Sequence, residues 1–451
     1  MALYPDQQAI YEGVINDIKE SLEGDLFCEH TFLSISGAAG TGKTYLSHSI
    51  VDKLVNDLNI KVAVLAPTHK ALKVIRGNID VDNKNITYAT VHSFLGLKPQ
   101  VDFRTGEQKF VKDKSKMASK LSKIKVDLMI VDESSFISTS LFEHIKKELL
   151  VYNRVKVVLF MGDRLQLLPV EDQNNLNEND VKAKSAIFAE DGEAIINHYT
   201  LTEPKRNGNV EVLDFYTEVR HMVERGARKR ELMQFLIDES KKPHEKVKFF
   251  RDKKEFFKDY ISQDRLGEED DAIVTFTNQN VNTYNDKIRD YYLRKEYSVA
   301  DEVHPTDLFV VQSGNDDFVN SETIHMKRFN PSEFNYKGKV FKGYKCESTD
   351  GRAFNIISKE SQADYEKALG LLRANAAKQK NQMGWQMYYG LMELFLDVKY
   401  QYSMTIHKSQ GSSMTNVYVD CTGINYVDDD TMLRLFYVAA TRARDSVNIL
   451  I

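Results

Sequence analysis

Residues Gly37, Ala38, Ala39, Gly40, Thr41, Gly42, Lys43 and Thr44 fill every fixed position of the pattern G-x-x-x-x-G-K-[ST]. The chemistry of that pattern is phosphate capture. Backbone N–H groups of such a loop, and of the helix it opens, converge on phosphate oxygens. Lys43 would reach β- and γ-phosphates as a point charge, and Thr44 would offer its hydroxyl to Mg²⁺. A second candidate is Asp132-Glu133, at the end of the apolar run Leu128-Met129-Ile130-Val131. Asp132 can hold Mg²⁺ through its waters. Glu133 can take the proton of an attacking water. A third is Gln166, in Gly162-Asp163-Arg164-Leu165-Gln166, whose amide can sense a γ-phosphate by hydrogen bond.

These groups need a scaffold that brings strand ends together. The β-type run Phe32-Leu33-Ser34-Ile35-Ser36 precedes the glycine loop, and Leu46, Ile50, Leu54 and Leu58 repeat at helical spacing after it. Val62–Ala66, Leu128–Val131 and Val155–Met161 are continuous apolar runs, as strands of a parallel sheet covered on both faces require. A second α/β pattern starts at Ala272–Phe276 and resumes from Tyr402 onward. Between them, short β-type runs at 308–312, 321–328, 338–346 and 352–358 are separated by Gly, Asn and Asp turns, which predicts an inserted antiparallel β-module. A helical stretch over about 361–396 follows. Val101–Arg104 and Gln108–Val111 flank Thr105-Gly106-Glu107 and read as a hairpin.

Length and composition set the bounds. A chain of 451 residues with 42% hydrophobic and 28% charged content predicts two to four ordinary globular domains. No N-terminal apolar signal and no run of membrane-spanning length stands in the sequence, so a membrane role is not expected. Cys28, Cys346 and Cys421 lie far apart, which argues against a disulfide framework or a zinc site and fits a reducing cytoplasm. The net charge of −5 leaves any nucleic-acid role to local patches. Residues 104–125 hold eight Lys or Arg against Glu107 and Asp113, with Phe103 and Phe110 interleaved or adjacent. Residues 327–345 hold six against Glu333, with Phe334, Tyr336, Phe341 and Tyr344 among them. Each run reads either as a solvated face or as a surface that tracks phosphates and stacks bases.

The motifs in order carry a family resemblance. Gln7 near the start, GAAGTGKT, APTHKAL at 66–72, TVHSF at 90–94, VDESS at 131–135, GDRLQLLPV at 162–170, LTEPKRN at 201–207, FTNQNVN at 276–282, TIHKSQGSS at 405–413 and YVAATRAR at 437–444 together resemble a superfamily 1 helicase. TIHKSQG and its surroundings resemble the B-type, RecD/Dda-like branch, which runs 5′ to 3′ and has members in T-even bacteriophages. Where many superfamily members carry an acidic residue shortly after the Gly of that motif, this chain has Ser412 and Ser413.

The resemblance implies an α/β fold of two RecA-like P-loop domains with parallel sheets and ATP bound between them. The first domain would comprise 1–93 and 124–205, with a pin hairpin inserted at 94–123. The second would comprise 206–300 and 397–451, with an SH3-like β-barrel and helices inserted at 301–396. ATP and Mg²⁺ are the implied cofactors, with Gln7 reading the adenine edge and Gly411 lying against the nucleotide. Gln7 also fits as an ordinary polar residue of an N-terminal helix. Arg206 and Arg442 are the implied arginine fingers, while Arg444 reads as surface. DNA contacts would come from Pro67, Thr68 and His69, from Thr90, His92 and Ser93, and from Thr405, His407 and Lys408, by phosphate contact and base stacking without sequence readout. Phe103 and Phe110 would tip the pin, Phe110 foremost; the other reading is that both rings anchor the hairpin on the core. The implied activity is ATP-driven translocation on single-stranded DNA and unwinding of duplex or forked DNA, by a monomer, in the cytoplasm of a phage host, alongside replication or recombination proteins. A RecD-like motor subunit of a nuclease complex and an ATP-gated nucleic-acid clamp are the alternatives.

Overall fold

The computed structural model describes residues 3–24, 32–78, 83–101, 108–112, 120–168, 187–188, 197–203, 209–262, 271–297, 302–315, 317–380 and 382–451. They form two compact units. The first comprises Met1–Leu97, Lys112–Lys253 and Ser409–Ile451; the second comprises Lys98–Val111 and Lys254–Lys408.

The first unit is built on a six-stranded sheet. Its strands are β1 (Phe32–Gly37), β2 (Val62–Ala66), β3 (Ile86–Thr90), β6 (Leu128–Val131), β7 (Val157–Gly162) and β8 (Asn197–Leu201), in the order β3-β2-β6-β7-β1-β8. Every pairing described is parallel. Successive residues alternate faces, and both faces are covered. Val62, Val64 and Ala66 pack in one apolar cluster with Leu46 and Ile50 of helix α2 (Lys43–Asp52) and Ile75 of α3 (His69–Asn78). Ala63 and Leu65 pack in the other with Phe94 of α4 (Val91–Leu95) and Ile145 of α5 (Thr139–Leu150). This is why the strands read as unbroken apolar runs. The same unit holds parallel strands β9 (Val247–Phe250), β17 (Met414–Asp420) and β18 (Ala443–Leu450), with β18 paired to both others. Helices α1 (Pro5–Glu23), α6 (Val210–Glu224), α7 (Lys229–Glu239) and α12 (Asp429–Ala440) complete it.

In the second unit, β10 (Asp271–Thr275) pairs in parallel with β16 (Ser403–Thr405), beside helices α8 (Lys253–Ile261) and α9 (Asn278–Tyr297). An antiparallel sheet of β11 (Leu308–Ser313), β12 (Thr323–Tyr336), β13 (Lys339–Ser348), β14 (Ala353–Ile357) and β15 (Asp397–Tyr400) runs in the order β14-β13-β12-β11-β15. The buried pair Arg289–Asp307, at 2.7 Å, fastens α9 to the start of this sheet. Strand β12 continues to Tyr336, well past the end at 328 read from sequence. Beyond Arg328 its described partner is β13 alone, so Pro331 costs no ladder bond on its free side. Phe334 and Phe341 face each other across that hairpin and bury against Tyr365 and Phe395. Helices α10 (Lys359–Gln379) and α11 (Gln382–Met392) occupy the stretch read as helical, and Lys380 ends α10 in the left-handed conformation. Strands β4 (Leu97–Val101) and β5 (Gln108–Lys112) form a two-stranded ladder.

Candidate functional site

Parallel strands end together, so the loops after β1, β6 and β7 converge at one edge of the first sheet. The register sets Ser36 beside Gly162 and Ile130 beside Leu159, which brings Gly37–Thr44, Asp132-Glu133 and Asp163–Gln166 to that edge. From these segments Ala39, Gly40, Gly42, Lys43, Thr44, Asp132, Glu133 and Gln166 line a cavity of about 490 Å³ with Gly411, Ser412, Ser413, Thr441 and Arg442.

Gly42 caps α2 in the left-handed conformation, with φ 82°. A Cβ there would meet Gln7 Nε2 at 2.3 Å, so both conformation and space call for glycine. Lys43 donates to the carbonyls of Gly37 and Ala38 at 2.7 and 2.9 Å. Burial depresses its pKa, and Asp163, Glu133 and Asp132 oppose that shift. A lysine held on neutral carbonyls can exchange them for phosphate oxygens without breaking an ion pair. Thr44 lines the cavity beside it.

Asp132 follows β6 and accepts the Glu133 N–H at 2.8 Å. Burial, and then the neighbouring Glu133 carboxylate, push its pKa up to about 6. Two crowded carboxylates of this kind suit a cation. Glu133 adopts φ 50° and ψ 40°, a left-handed conformation that costs a non-glycine residue about 1–2 kcal/mol. The strain places Glu133 in the cavity lining. Gln166 is buried, and its Oε1 accepts from Gln410 Nε2 at 2.9 Å; Gln410 also reaches Ser135 Oγ at 3.3 Å. Arg442 is buried and donates to the carbonyls of Val438 and Ser412 and to Thr441 Oγ1 at 2.9, 3.0 and 3.0 Å.

Gln7 does not line the cavity. It is buried beneath the loop, where its amide donates to the Thr41 carbonyl at 3.0 Å and accepts from the Tyr4 N–H at 3.3 Å. These contacts tie the N-terminus of α1 to the loop. Arg206 and Phe103 lie outside the described residues.

The candidate DNA contacts in the first unit stand at the same sheet edge on the outer strands. Pro67, Thr68 and exposed His69 follow β2, and Thr90 ends β3 in register with Ala66. Thr68 Oγ1 accepts the Ala71 N–H at 3.2 Å, and Thr90 caps α4 through the Ser93 N–H at 3.3 Å. Both hydroxyls therefore shape their turns. His92 and Ser93 are half-buried. In the second unit, buried Thr405 accepts the Lys408 N–H at 3.3 Å, and burial lowers the pKa of His407. Lys408 donates to Gln312, and Lys399 donates to Asn278 at 3.3 Å. Phe110 on β5 is 47% exposed.

Sequence reasoning did not single out Tyr45 and His48, which line the cavity, or Ser135 and Gln410, which meet beside Gln166. Tyr45 and His48 line the cavity one helical turn apart, and their position just after Thr44 was the available signal.

Residues 25–172 match the AAA domain model, and residues 400–450 match the UvrD-like helicase C-terminal domain. The chain is 25% identical over 456 residues to the ATP-dependent DNA helicase dda of Enterobacteria phage T4, covering 92% of this chain and 93% of that protein. It is also 25% identical over 489 residues to uncharacterized protein R530 of Acanthamoeba polyphaga mimivirus, covering 94% and 96%. Among solved structures, Bacteroides Pif1 bound to single-stranded DNA superposes with a TM-score of 0.55 at 15% identity, covering 99% of this chain and 92% of that one.

Proposed function

This chain belongs to the Pif1/Dda/RecD-like superfamily 1B helicases and is an ATP-dependent DNA helicase, and from that premise we propose that it travels 5′ to 3′ on single-stranded DNA and unwinds forks. The observation that carries the reading is the cavity that gathers Lys43, Thr44, Asp132, Glu133, Gln166 and Arg442 from four separate motifs. Phosphoryl transfer asks little covalent chemistry of a protein; it asks for positioned charge. The loop N–H groups and Lys43 bind and orient the phosphates. Thr44 and Asp132 would hold Mg²⁺, which would neutralise charge on the β- and γ-oxygens, and the raised pKa of Asp132 fits a seat built for a cation. Glu133 takes the proton of the attacking water. Arg442 exchanges its carbonyl partners for the γ-phosphate as negative charge develops there. Gln166 and Gln410 report the presence of that phosphate to the motifs they join.

On the DNA side, we assign Pro67–His69 and Thr90–Ser93 of the first unit and Thr405–Lys408 of the second to sequence-independent phosphate contacts. The hairpin carrying Phe110 serves as the wedge that parts the duplex, supported by the exposure of that ring. A viral replication or recombination role is supported by relatives in phage T4 and mimivirus.

One experiment tests the whole reading. With ATP, the protein should displace the strand of a 5′-tailed duplex and leave a 3′-tailed one intact. It should also strip streptavidin from a biotinylated DNA end. Tight, ATP-gated DNA binding without either displacement would identify a clamp instead.

A further inference from the structure

Three segments of the first unit meet at one buried carboxylate. Asp163 is wholly buried just after β7. Its Oδ1 accepts the Leu165 N–H at 3.1 Å and Arg220 Nη1 at 3.0 Å; its Oδ2 accepts the same Nη1 at 3.2 Å and the Tyr437 hydroxyl at 2.7 Å. The Tyr437 oxygen in turn accepts from Arg220 at 2.8 Å, which closes a triangle of donors and acceptors. Arg220 lies on α6 and Tyr437 on α12, more than two hundred residues apart in sequence. One turn before Tyr437, Arg434 donates to the carbonyls of Arg164 and Gln166 at 3.0 and 3.1 Å. The turn at 163–166 is thus gripped by carboxylate and backbone alike, and Gln166 rides on it. Arg442 follows the C-terminus of the same helix that provides Tyr437 and Arg434. None of Asp163, Arg220 and Tyr437 is among the residues lining the cavity.

We propose that Arg220, Asp163 and Tyr437 form a buried lock that positions Gln166 and Arg442 together for ATP hydrolysis, acting through the 163–166 turn and α12 and not on the nucleotide. The inference rests on the roles given to Gln166 and Arg442 above. A fully buried carboxylate with no cation would demand protonation or a different partner. Lys43 is an alternative cation: after burial, Asp163 is the largest influence on its charge. Arg220 satisfies Asp163 and so leaves Lys43 free for phosphate. Tyr437 adds direction: its hydroxyl is satisfied only while α12 sits at one rotation against the turn. Loss of that constraint lets the sensor and the finger drift independently, which lowers turnover and leaves phosphate capture intact.

Tyr437→Phe tests this with the ring volume kept. DNA-stimulated kcat should fall about tenfold, with KM for ATP within about twofold of the parent. Combined with Gln166→Ala, it should slow turnover no further than Gln166→Ala alone, because both remove one function. Arg220→Lys should recover most of the kcat that Arg220→Met loses. Multiplying effects in the double variant, a raised KM at unchanged kcat, or a parental Tyr437→Phe would each overturn the lock. Parental turnover by Gln166→Ala alone would remove the sensor reading and the lock with it. A slow Gln166→Ala whose effect multiplies with Tyr437→Phe removes only the lock.

Discussion

Replacing Arg442 by Ala should damage turnover far more than it damages the fold or nucleotide affinity. The guanidinium donates to two backbone carbonyls and one hydroxyl at 2.9–3.0 Å, among its contacts. Hydrogen bonds from a charged donor contribute about 1.5–3 kcal/mol each, but the acceptors around Ser412 and Thr441 border the cavity and can take water instead. We therefore expect a net stability loss of about 2–3 kcal/mol, within what a domain of this size tolerates. On turnover the arithmetic differs. A cation that meets charge developing on the γ-phosphate is worth about 10³–10⁵ in kcat. That is about 4–7 kcal/mol of barrier, absent from the ground state where Arg442 rests on carbonyls. The assay has three arms: kcat at saturating single-stranded DNA, affinity for a fluorescent nucleotide by titration, and urea denaturation. Arg442→Lys keeps a charge but cannot reproduce the planar three-bond geometry, so it should recover only part of the rate. A kcat within about tenfold of the parent would refute the assignment. So would a rate loss that simply matches the unfolded fraction.

Four further outcomes follow from the same geometry. Glu133→Gln should keep nucleotide affinity and lose about 10²–10⁴ in kcat, read by single-turnover hydrolysis; brisk DNA-stimulated turnover would end the base assignment. Lys43→Ala should instead weaken nucleotide binding itself, and an unchanged titration midpoint would contradict that. Phe110→Ala should leave DNA-stimulated ATPase and streptavidin displacement near parental while slowing fork unwinding, whereas loss of all three would make the ring structural. Asp307→Ala strands Arg289 in the core of the second unit and should destabilise it by about 3–5 kcal/mol, while Arg289→Met with Asp307→Leu should recover much of that in the same denaturation experiment.

What could be read from the sequence was what local chemistry dictates. The glycine loop announced itself because phosphate needs backbone N–H groups, an αL glycine and a lysine at fixed spacing. The β-strands of the first sheet were legible because burial on both faces forces continuous apolar runs. The far end of β12 was not, because Arg328, Asn330, Pro331 and Glu333 break any alternating pattern; Phe334 against Phe341 decides the hairpin through long-range burial. Gln7 shows the same limit beneath the glycine loop. Its residue type fits an adenine contact, and its bonds to Thr41 and Tyr4 are partners that only the path of α1 over the loop reveals. Gln410 was written plainly in TIHKSQG, but nothing local says that it meets Gln166 and Ser135.

The first sheet also suggests why one edge can serve two ligands. The phosphate-side groups follow β1, β6 and β7, while the proposed DNA-side groups follow β2 and β3, and the order β3-β2-β6-β7-β1-β8 makes β2 and β6 neighbours. Leu65 pairs with Val131, and the Asp132 N–H donates to the Leu65 carbonyl at 2.9 Å. Pro67 and Thr68 begin two residues beyond that carbonyl. A shift of Asp132 on nucleotide capture would therefore act on the β2 loop across one interstrand spacing of about 4.8 Å. Coupling at that distance needs no long chain of contacts, only a hydrogen bond that both loops share. It follows that substitutions at Thr68 should alter the DNA dependence of kcat as well as DNA affinity. A Thr68→Ala variant with weaker DNA binding and an unchanged maximal stimulation of ATPase would show that this strand pair transmits nothing.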